Sequence, residues 1–133
     1  APQDGLVATP QTTLAGMVAK NGDAPFNAPL RFLEAARGSS DSRWRDAELG
    51  DVPVDFLTTL DTTGGNSGSA TLDAKGRFVG LIFDGNYEAM SADWVFNEDM
   101  TRSIHVDVRY LLWTLDEVEG ATGILEEMGI ETE

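Results

Sequence analysis

The residues of this chain best suited to chemistry form one short glycine-rich segment, Thr63-Gly64-Gly65-Asn66-Ser67-Gly68-Ser69. A serine hydroxyl is a weak nucleophile, so a catalytic serine needs a neighbouring base and N–H donors aimed at the developing oxyanion. Glycines on both sides of Ser67 permit backbone conformations that direct the N–H groups of Gly65 and Ser67 to one point. The segment therefore predicts a nucleophile, Ser67, beside an oxyanion hole that includes the Gly65 N–H.

A string rich in Gly, Ser and Asn is also typical of a plain surface turn, so its flanks matter. Residues 54–60 before it are β-rich, and residues 70–83 after it predict a β-hairpin around the turn Asp73-Ala74-Lys75-Gly76. The nucleophile elbow of α/β-hydrolases is disfavoured, because Ser69 replaces its second glycine and a strand follows instead of a helix. We expect Ser67 on a loop between two strands.

The partners that a catalytic serine requires are missing from the expected part of the chain. The only histidine is His105, which follows Ser67, whereas the chain order His, Asp, Ser would place the base earlier. We interpret His105, between two apolar neighbours, as a structural or surface residue. Three acids, Asp61, Asp84 and Asp93, are candidates for holding loops or lining a pocket. No metal-ligand spacing is evident, cysteine is absent, and no cofactor is expected.

The first 50 residues predict short elements and loops. Residues 11–20 predict a short strand or helix. Asn27 is expected to cap a second helix that has Pro29 in its first turn and a left-handed stop at Gly38. Residues 39–50 are expected to form a surface connection.

The last part of the chain predicts strands at 94–96 and 103–106, followed by two helices. Asp107 can cap the first helix, which ends near Gly120 and has apolar residues at helical spacing: Val108, Leu111, Leu112, Leu115 and Val118. The second is short and spans 124–128 between Gly123 and Gly129. The fold class is therefore mainly β with C-terminal helices, an α+β fold.

Length and charge limit the possible functions. The 133 residues suffice for one modest domain, and the net charge of −14 disfavours nucleic acid as a partner. No apolar run approaches the roughly 20 residues of a membrane-spanning helix, so membrane insertion is not expected. The chain begins at Ala1 without an initiator Met, and we expect it to be a piece of a longer protein.

The sequence resembles a known family, the bacterial dipeptidyl-peptidase 7 and 11 family of serine exopeptidases. Besides the Ser67 segment, the resemblance rests on Asp4-Gly5, on Gln11-Thr12-Thr13-Leu14-x-Gly16, on Phe83-Asp84-Gly85-Asn86-Tyr87-Glu88-Ala89-Met90-Ser91, and on Val106-Asp107-Val108-Arg109-Tyr110. The string from Phe83 is the most specific of these, because ordinary trypsin-like enzymes do not share it. Departures occur at Ala70, Tyr87 and His105, where the family usually has other residues.

The resemblance implies a chymotrypsin-like double β-barrel, of which this chain supplies most of the second barrel. Residues 1–50 would form a lead-in segment of short helices and loops, residues 51–106 would form the barrel strands with the nucleophile loop, and residues 107–133 would form the C-terminal helices. The catalytic residue would be Ser67, and Phe83, Asp84 and Gly85 would bind substrate at the S1 wall. An Arg at the position of Gly85 is associated with Asp or Glu at P1, so Gly85 implies an apolar or broad P1 preference.

The resemblance also implies parts that lie outside this chain. The triad His and Asp would come from a first barrel, and a helical domain would capture the substrate's α-amino group. The expected partners are oligopeptides and the remainder of the enzyme, and formation of a homodimer is left as an alternative. The expected location is the periplasm or the cell surface of a Gram-negative bacterium. The isolated chain is expected to be inactive. A glutamyl-type endopeptidase and a non-catalytic peptide-binding barrel are the alternatives.

Overall fold

The computed structural model describes residues 9–91, 96–97 and 99–132. Its sheet has five antiparallel strands in the order β1-β2-β5-β4-β3: β1 Gln11–Thr13, β2 Pro53–Thr58, β3 Ala70–Leu72, β4 Phe78–Gly85 and β5 Ser103–Asp107. The strand that comes last in the chain, β5, lies at the centre. Within the described residues β1 and β3 each pair on one side only, so these strands form an open sheet, and the closed double barrel stays a prediction.

Two helices lie between β1 and β2, and two follow β5. They are α1 Leu14–Lys20, α2 Leu30–Ala36, α3 Val108–Trp113 and α4 Thr122–Glu127, and α3 continues into a π-helical turn at Thr114–Val118. Two 3-10 turns, Ser39–Asp41 and Tyr87–Ser91, connect elements. In the described part of the chain, no helix combines the length and apolar character needed to cross a membrane.

Several predicted elements are confirmed where the signal is local. The hairpin of β3 and β4 turns at residues 73–76, where the Asp73 carboxylate accepts the N–H of Lys75 at 2.8 Å. The Asp107 carboxylate caps α3 by accepting the Arg109 N–H at 2.8 Å. Residues 11–20 hold both a strand and a helix. Residues 94 and 95 of the strand predicted at 94–96 lie outside the described residues.

Three local expectations are wrong. Asn27 does not cap α2, because the N-cap position is occupied by Pro29, whose side chain has no atom that can accept a capping hydrogen bond. Gly38 has φ −99° and leads straight into the 3-10 turn, so it is no left-handed stop. The last helix begins at Thr122, so Gly123 lies inside it.

The segment 39–50 is more than a surface connection, because it is fastened to the helices. Ser42 is buried, and its hydroxyl donates to the Glu117 carboxylate at 2.5 Å. The Asp46 carboxylate accepts from Arg109, which also makes two bonds to Asp107. The Asp107-Val108-Arg109 string that contributed to the family resemblance therefore joins β5, α3 and this segment.

The main apolar core lies between α1, α2 and α3, where Leu14, Val52 and Trp113 are fully buried. Asp51 holds its edge, accepting the N–H groups of Ala15 at 2.7 Å and Val52 at 2.8 Å. Burial alone would raise the pKa of Asp51, but these bonds and one from the Ser39 hydroxyl hold that pKa below its usual range. Asp51 is thus an ionised carboxylate whose hydrogen bonds fix α1 to the start of β2.

The central strand β5 is buried on its polar side. Ser103, His105 and Asp107 are buried, whereas the alternating Ile104 and Val106 are partly exposed. His105 is only 1% exposed, so of the two interpretations of this residue the structural one is correct and the surface one is wrong.

Candidate functional site

Ser67 lies exposed on the loop of residues 59–69 between β2 and β3, which we call the nucleophile loop. The end of this loop is attached to β4: the Gly68 N–H donates to the Ile82 carbonyl at 2.8 Å, and the Ile82 N–H donates to the Ser69 carbonyl at 3.1 Å. Inside the loop, the Asn66 side chain accepts the Thr63 N–H at 2.9 Å. The strand therefore holds the last two residues of the loop, Gly68 and Ser69.

The loop backbone has the shape that the glycines predict. Gly65 has φ +99° and Gly68 has φ +84°, both in the region that L-residues with a side chain rarely adopt. None of the hydrogen bonds found among the described residues uses the N–H of Gly65 or of Ser67. These two donors are available to a ligand, as an oxyanion hole requires.

A cavity of about 270 Å³ opens beside Ser67. The structure brings together in its lining the predicted nucleophile and the three predicted substrate-binding residues, with Ile82 and Asn86 among their neighbours: Ser67, Ile82, Phe83, Asp84, Gly85 and Asn86. Gly65 lies between two further lining residues, Gly64 and Asn66. The segments that the sequence singles out, 63–69 and 83–89, thus meet at one cavity.

A β-bulge shapes the wall of the cavity. Ile82 pairs with His105 and Asp84 pairs with Ile104, which leaves Phe83 as an extra residue in β4. Bulges bend a strand and redirect its side chains, and they are common beside active sites. Here the bulge leaves Phe83 and Asp84 exposed at the cavity.

The position of Gly85 has little space for a side chain. A Cβ built on Gly85 would lie 2.8 Å from the Ala89 Cβ, so any larger residue requires the 3-10 turn to shift. Asn86 fixes this stretch to the start of β5: its Nδ2 donates to the Met100 carbonyl at 2.6 Å, and its Oδ1 accepts the Arg102 N–H at 2.9 Å. Sequence reasoning assigned Asn86 no role, although Asn after Gly at a strand end favours such side-chain to backbone bonds.

The charge around the cavity is acidic. Among the described residues that line it, Asp84 is a carboxylate and none is Lys or Arg. The nearby Arg102 directs its guanidinium to the carbonyl oxygens of Thr101 at 2.7 Å and Asp99 at 3.3 Å. Asp84 is therefore the one charged side chain among the described residues that line the cavity.

His105 is placed to stabilise the sheet and not to act as the base for Ser67. Its Nε2 bonds the Thr58 hydroxyl and its Nδ1 bonds the Thr71 hydroxyl, each at 2.7 Å. Its ring stacks on Phe56 with 5.1 Å between centroids, and burial lowers the pKa of His105. Nothing in the sequence pattern marks Thr58 and Thr71 as its partners, because they lie 47 and 34 residues away.

Of the other acids singled out, Asp61 is exposed, and Asp93 lies outside the described residues. Within the described ranges, no group of three or more His, Cys, Asp and Glu side chains has an arrangement that could hold a metal ion.

The family model described as Peptidase S46 matches residues 1–130. The chain belongs to the peptidase S46 family. It is 40% identical to an Asp/Glu-specific dipeptidyl-peptidase of Shewanella putrefaciens over 96% of its own length. It is 46% identical to a dipeptidyl-peptidase 7 of Capnocytophaga gingivalis over 84% of its length. The chain is thus similar both to a relative named Asp/Glu-specific dipeptidyl-peptidase and to a relative named dipeptidyl-peptidase 7.

The structural comparison agrees with this S46 assignment. The crystal structure of Porphyromonas endodontalis DPP11 in complex with the dipeptide Arg-Asp superposes on 99% of this chain with a TM-score of 0.87 and 29% identity. The chain spans only 19% of that structure, and 20% and 15% of the two S46 relatives above. The elements described here therefore correspond to about a fifth of a longer S46 protein.

Proposed function

We propose that this chain is the nucleophile-bearing part of a serine dipeptidyl-peptidase, which releases N-terminal dipeptides from oligopeptides. The observation that carries the proposal is the exposed Ser67, beside two uncommitted N–H groups and a cavity lined by Phe83, Asp84 and Gly85. Membership of the S46 family supports the same conclusion.

In the proposed reaction, a histidine from the remainder of the enzyme takes the proton of the Ser67 hydroxyl as its oxygen attacks the carbonyl carbon of the second substrate residue. The N–H groups of Gly65 and Ser67 stabilise the oxyanion of the tetrahedral intermediate. The C–N bond then breaks, and the protonated amine of the shortened peptide leaves. Water hydrolyses the resulting ester, which frees the dipeptide and restores Ser67.

The cavity favours an apolar or broad P1 preference over an acidic one. A carboxylate at P1 would face Asp84 without a cation among the described lining residues, and charge burial without a partner is unfavourable. A relative named Asp/Glu-specific dipeptidyl-peptidase and one named dipeptidyl-peptidase 7 are both similar to this chain, so overall identity does not decide the P1 preference.

The remaining components belong to the longer protein in this proposal. A first barrel would supply the triad His and Asp and complete the double β-barrel, and a helical domain would capture the α-amino group. The location would be the periplasm or cell surface of a Gram-negative bacterium.

The test treats the full-length protein with a peptidyl phosphonate and locates the adduct by mass spectrometry. We expect the label on Ser67, and no label in Ser67→Ala. The matched control is Ser69→Ala, because Ser69 lies in the same loop but its carbonyl, not its side chain, makes the bond to Ile82. Labelling of Ser69 or of no residue would contradict the proposal.

Substrates with free and blocked N-termini then separate the alternatives. A dipeptidyl-peptidase cleaves the free substrate and releases a dipeptide, whereas the glutamyl-type endopeptidase alternative cleaves the blocked one. Peptide binding without phosphonate labelling would indicate the non-catalytic binding domain. Comparing Ala, Phe and Asp at P1 tests the preference, with kcat/KM expected to be lowest for Asp.

A further inference from the structure

His105 connects the two strands from which the nucleophile loop departs. Thr58 is the last residue of β2, directly before the loop, and Thr71 lies in β3 directly after it. One imidazole bonds both hydroxyls at 2.7 Å, and it is 1% exposed. The two ends of the loop are therefore joined through a single buried side chain.

Two neighbours of His105 extend this connection into the loop itself. Its cross-strand partner is Ile82, whose backbone carbonyl accepts the Gly68 N–H and whose N–H donates to the Ser69 carbonyl at the end of the loop. Ser103, on the same side of β5, donates to the Leu60 carbonyl at 2.9 Å and shares a 2.6 Å bond with the Thr62 hydroxyl. The buried polar side of β5 thus contacts the loop at its start and, through β4, at its end.

We propose that His105 is a positioning residue for Ser67: it fixes the nucleophile loop by bonding Thr58 and Thr71 across β5. The catalytic part of this inference rests on the proposed function. His105 stands at one of the positions where this sequence departs from the family pattern.

The chemistry of imidazole suits the connection. A neutral ring has one N–H donor and one acceptor nitrogen, so one threonine hydroxyl accepts and the other donates. Stacking on Phe56 fixes the plane of the ring, which fixes the direction of both bonds. Without the ring, two hydroxyls lose their partner and the strands flanking the loop lose their link. A displacement of the nucleophile by about 1 Å reduces the rate roughly 100-fold.

The test compares four variants of the full-length protein: His105→Ala, Thr58→Val, Thr71→Val and the control Asp51→Asn. The valines keep the shape of threonine and remove one bond each, so they remain informative if His105→Ala fails to fold. The control weakens the hydrogen bonds of a different buried polar residue, Asp51, which accepts from Ala15 and Val52 at the α1 side of the sheet. Amide hydrogen exchange reports on residues 64–69, and kinetics are normalised to active sites titrated with phosphonate.

We expect exchange of the hydrogen-bonded N–H groups in this segment, those of Asn66, Gly68 and Ser69, to become about tenfold faster in the first three variants, the change that loss of one net hydrogen bond gives. We also expect kcat per titrated site to fall at least about tenfold with KM nearly constant, because the loop moves and the S1 wall does not. The control should lower stability without either change.

Unchanged loop exchange and kcat in folded Thr58→Val and Thr71→Val would overturn the inference, and so would equal effects in Asp51→Asn. Failure of the proposed function is recognised separately. If the unmodified protein neither reacts with the phosphonate nor cleaves peptides, the peptidase proposal is wrong, whereas faster exchange at residues 64–69 would still show that His105 fixes the loop.

Discussion

Replacing Gly65 by alanine in the full-length protein tests the oxyanion hole without introducing a steric clash. Gly65 has φ +99°, and a Cβ added there would meet no atom within 4 Å. The change therefore acts on backbone conformation alone. An L-residue held at such a positive φ is destabilised by about 1–2 kcal/mol. The loop can relieve that strain only by rotating the peptide groups around Gly65.

The expected result for Gly65→Ala is a loss of catalysis much larger than the loss of stability. Rotation turns the Gly65 N–H away from the oxyanion, and removal of one such donor lowers kcat roughly 100- to 1,000-fold. The measurements are kcat on a dipeptide substrate with a free N-terminus and the free energy of unfolding in urea. Binding of the substrate should change little, because the S1 wall lies on β4.

The chain offers two matched controls. Gly76 has φ +75° and equally open space, but it lies in the β3–β4 turn, so Gly76→Ala should lose about 1–2 kcal/mol and retain kcat. Gly64 has no positive φ and open space, so Gly64→Ala should change neither quantity much. Normal kcat in Gly65→Ala alongside the expected stability loss would refute the assignment of its N–H to the oxyanion hole. An equal kcat loss in Gly76→Ala would show a global effect instead.

Three further changes test the sheet and its buried polar groups. Gly80→Ala places a Cβ 2.4 Å from the Val106 carbonyl oxygen and should cost about 3 kcal/mol in urea unfolding; a loss below about 1 would show that the strands separate easily. Asp51→Asn should lose about 1–3 kcal/mol at pH 7 and less near pH 3, because the depressed Asp51 pKa makes its contribution disappear in acid. Burial lowers the pKa of His105, so on acidification this histidine is protonated in the unfolded chain before it is protonated in the folded protein. The stability that neutral His105 contributes is therefore complete above about pH 6.5 and is lost as the pH falls through its folded-state pKa. His105→Gln should make the free energy of unfolding less dependent on pH between pH 7 and 5, and an unchanged slope would contradict this expectation.

The sequence predicts most successfully where few neighbouring residues determine the structure. The turn at Asp73 to Gly76 and the Asp107 cap involve partners within four residues, so their types and spacing suffice. The positive φ of Gly65 is predicted in the same way, because glycines on both sides of Ser67 indicate a backbone conformation that other residues rarely adopt. The meeting of Ser67 with Phe83, Asp84 and Gly85 was anticipated through the family resemblance.

The failures come from partners distant in the chain. Ile104 and Val106 would ordinarily indicate the buried side of β5, but Ser103 and His105 occupy it because Leu60, Thr58 and Thr71 satisfy their polar atoms. No local pattern reports those bonds. The strand order, with β5 at the centre, and the Phe83 bulge likewise depend on pairing between segments about 20 or more residues apart.

The central place of β5 also determines when the nucleophile loop can acquire its shape during folding. The hydrogen bond between Thr58 in β2 and His105 in β5 joins residues 47 positions apart, so this link forms only after a long stretch of chain has closed. Ribosomes complete the serine segment well before they reach residue 105. A nascent chain therefore displays Ser67 on a loop whose ends are still unconnected, and the reactive geometry is acquired late, after most of the surrounding sheet has been synthesised.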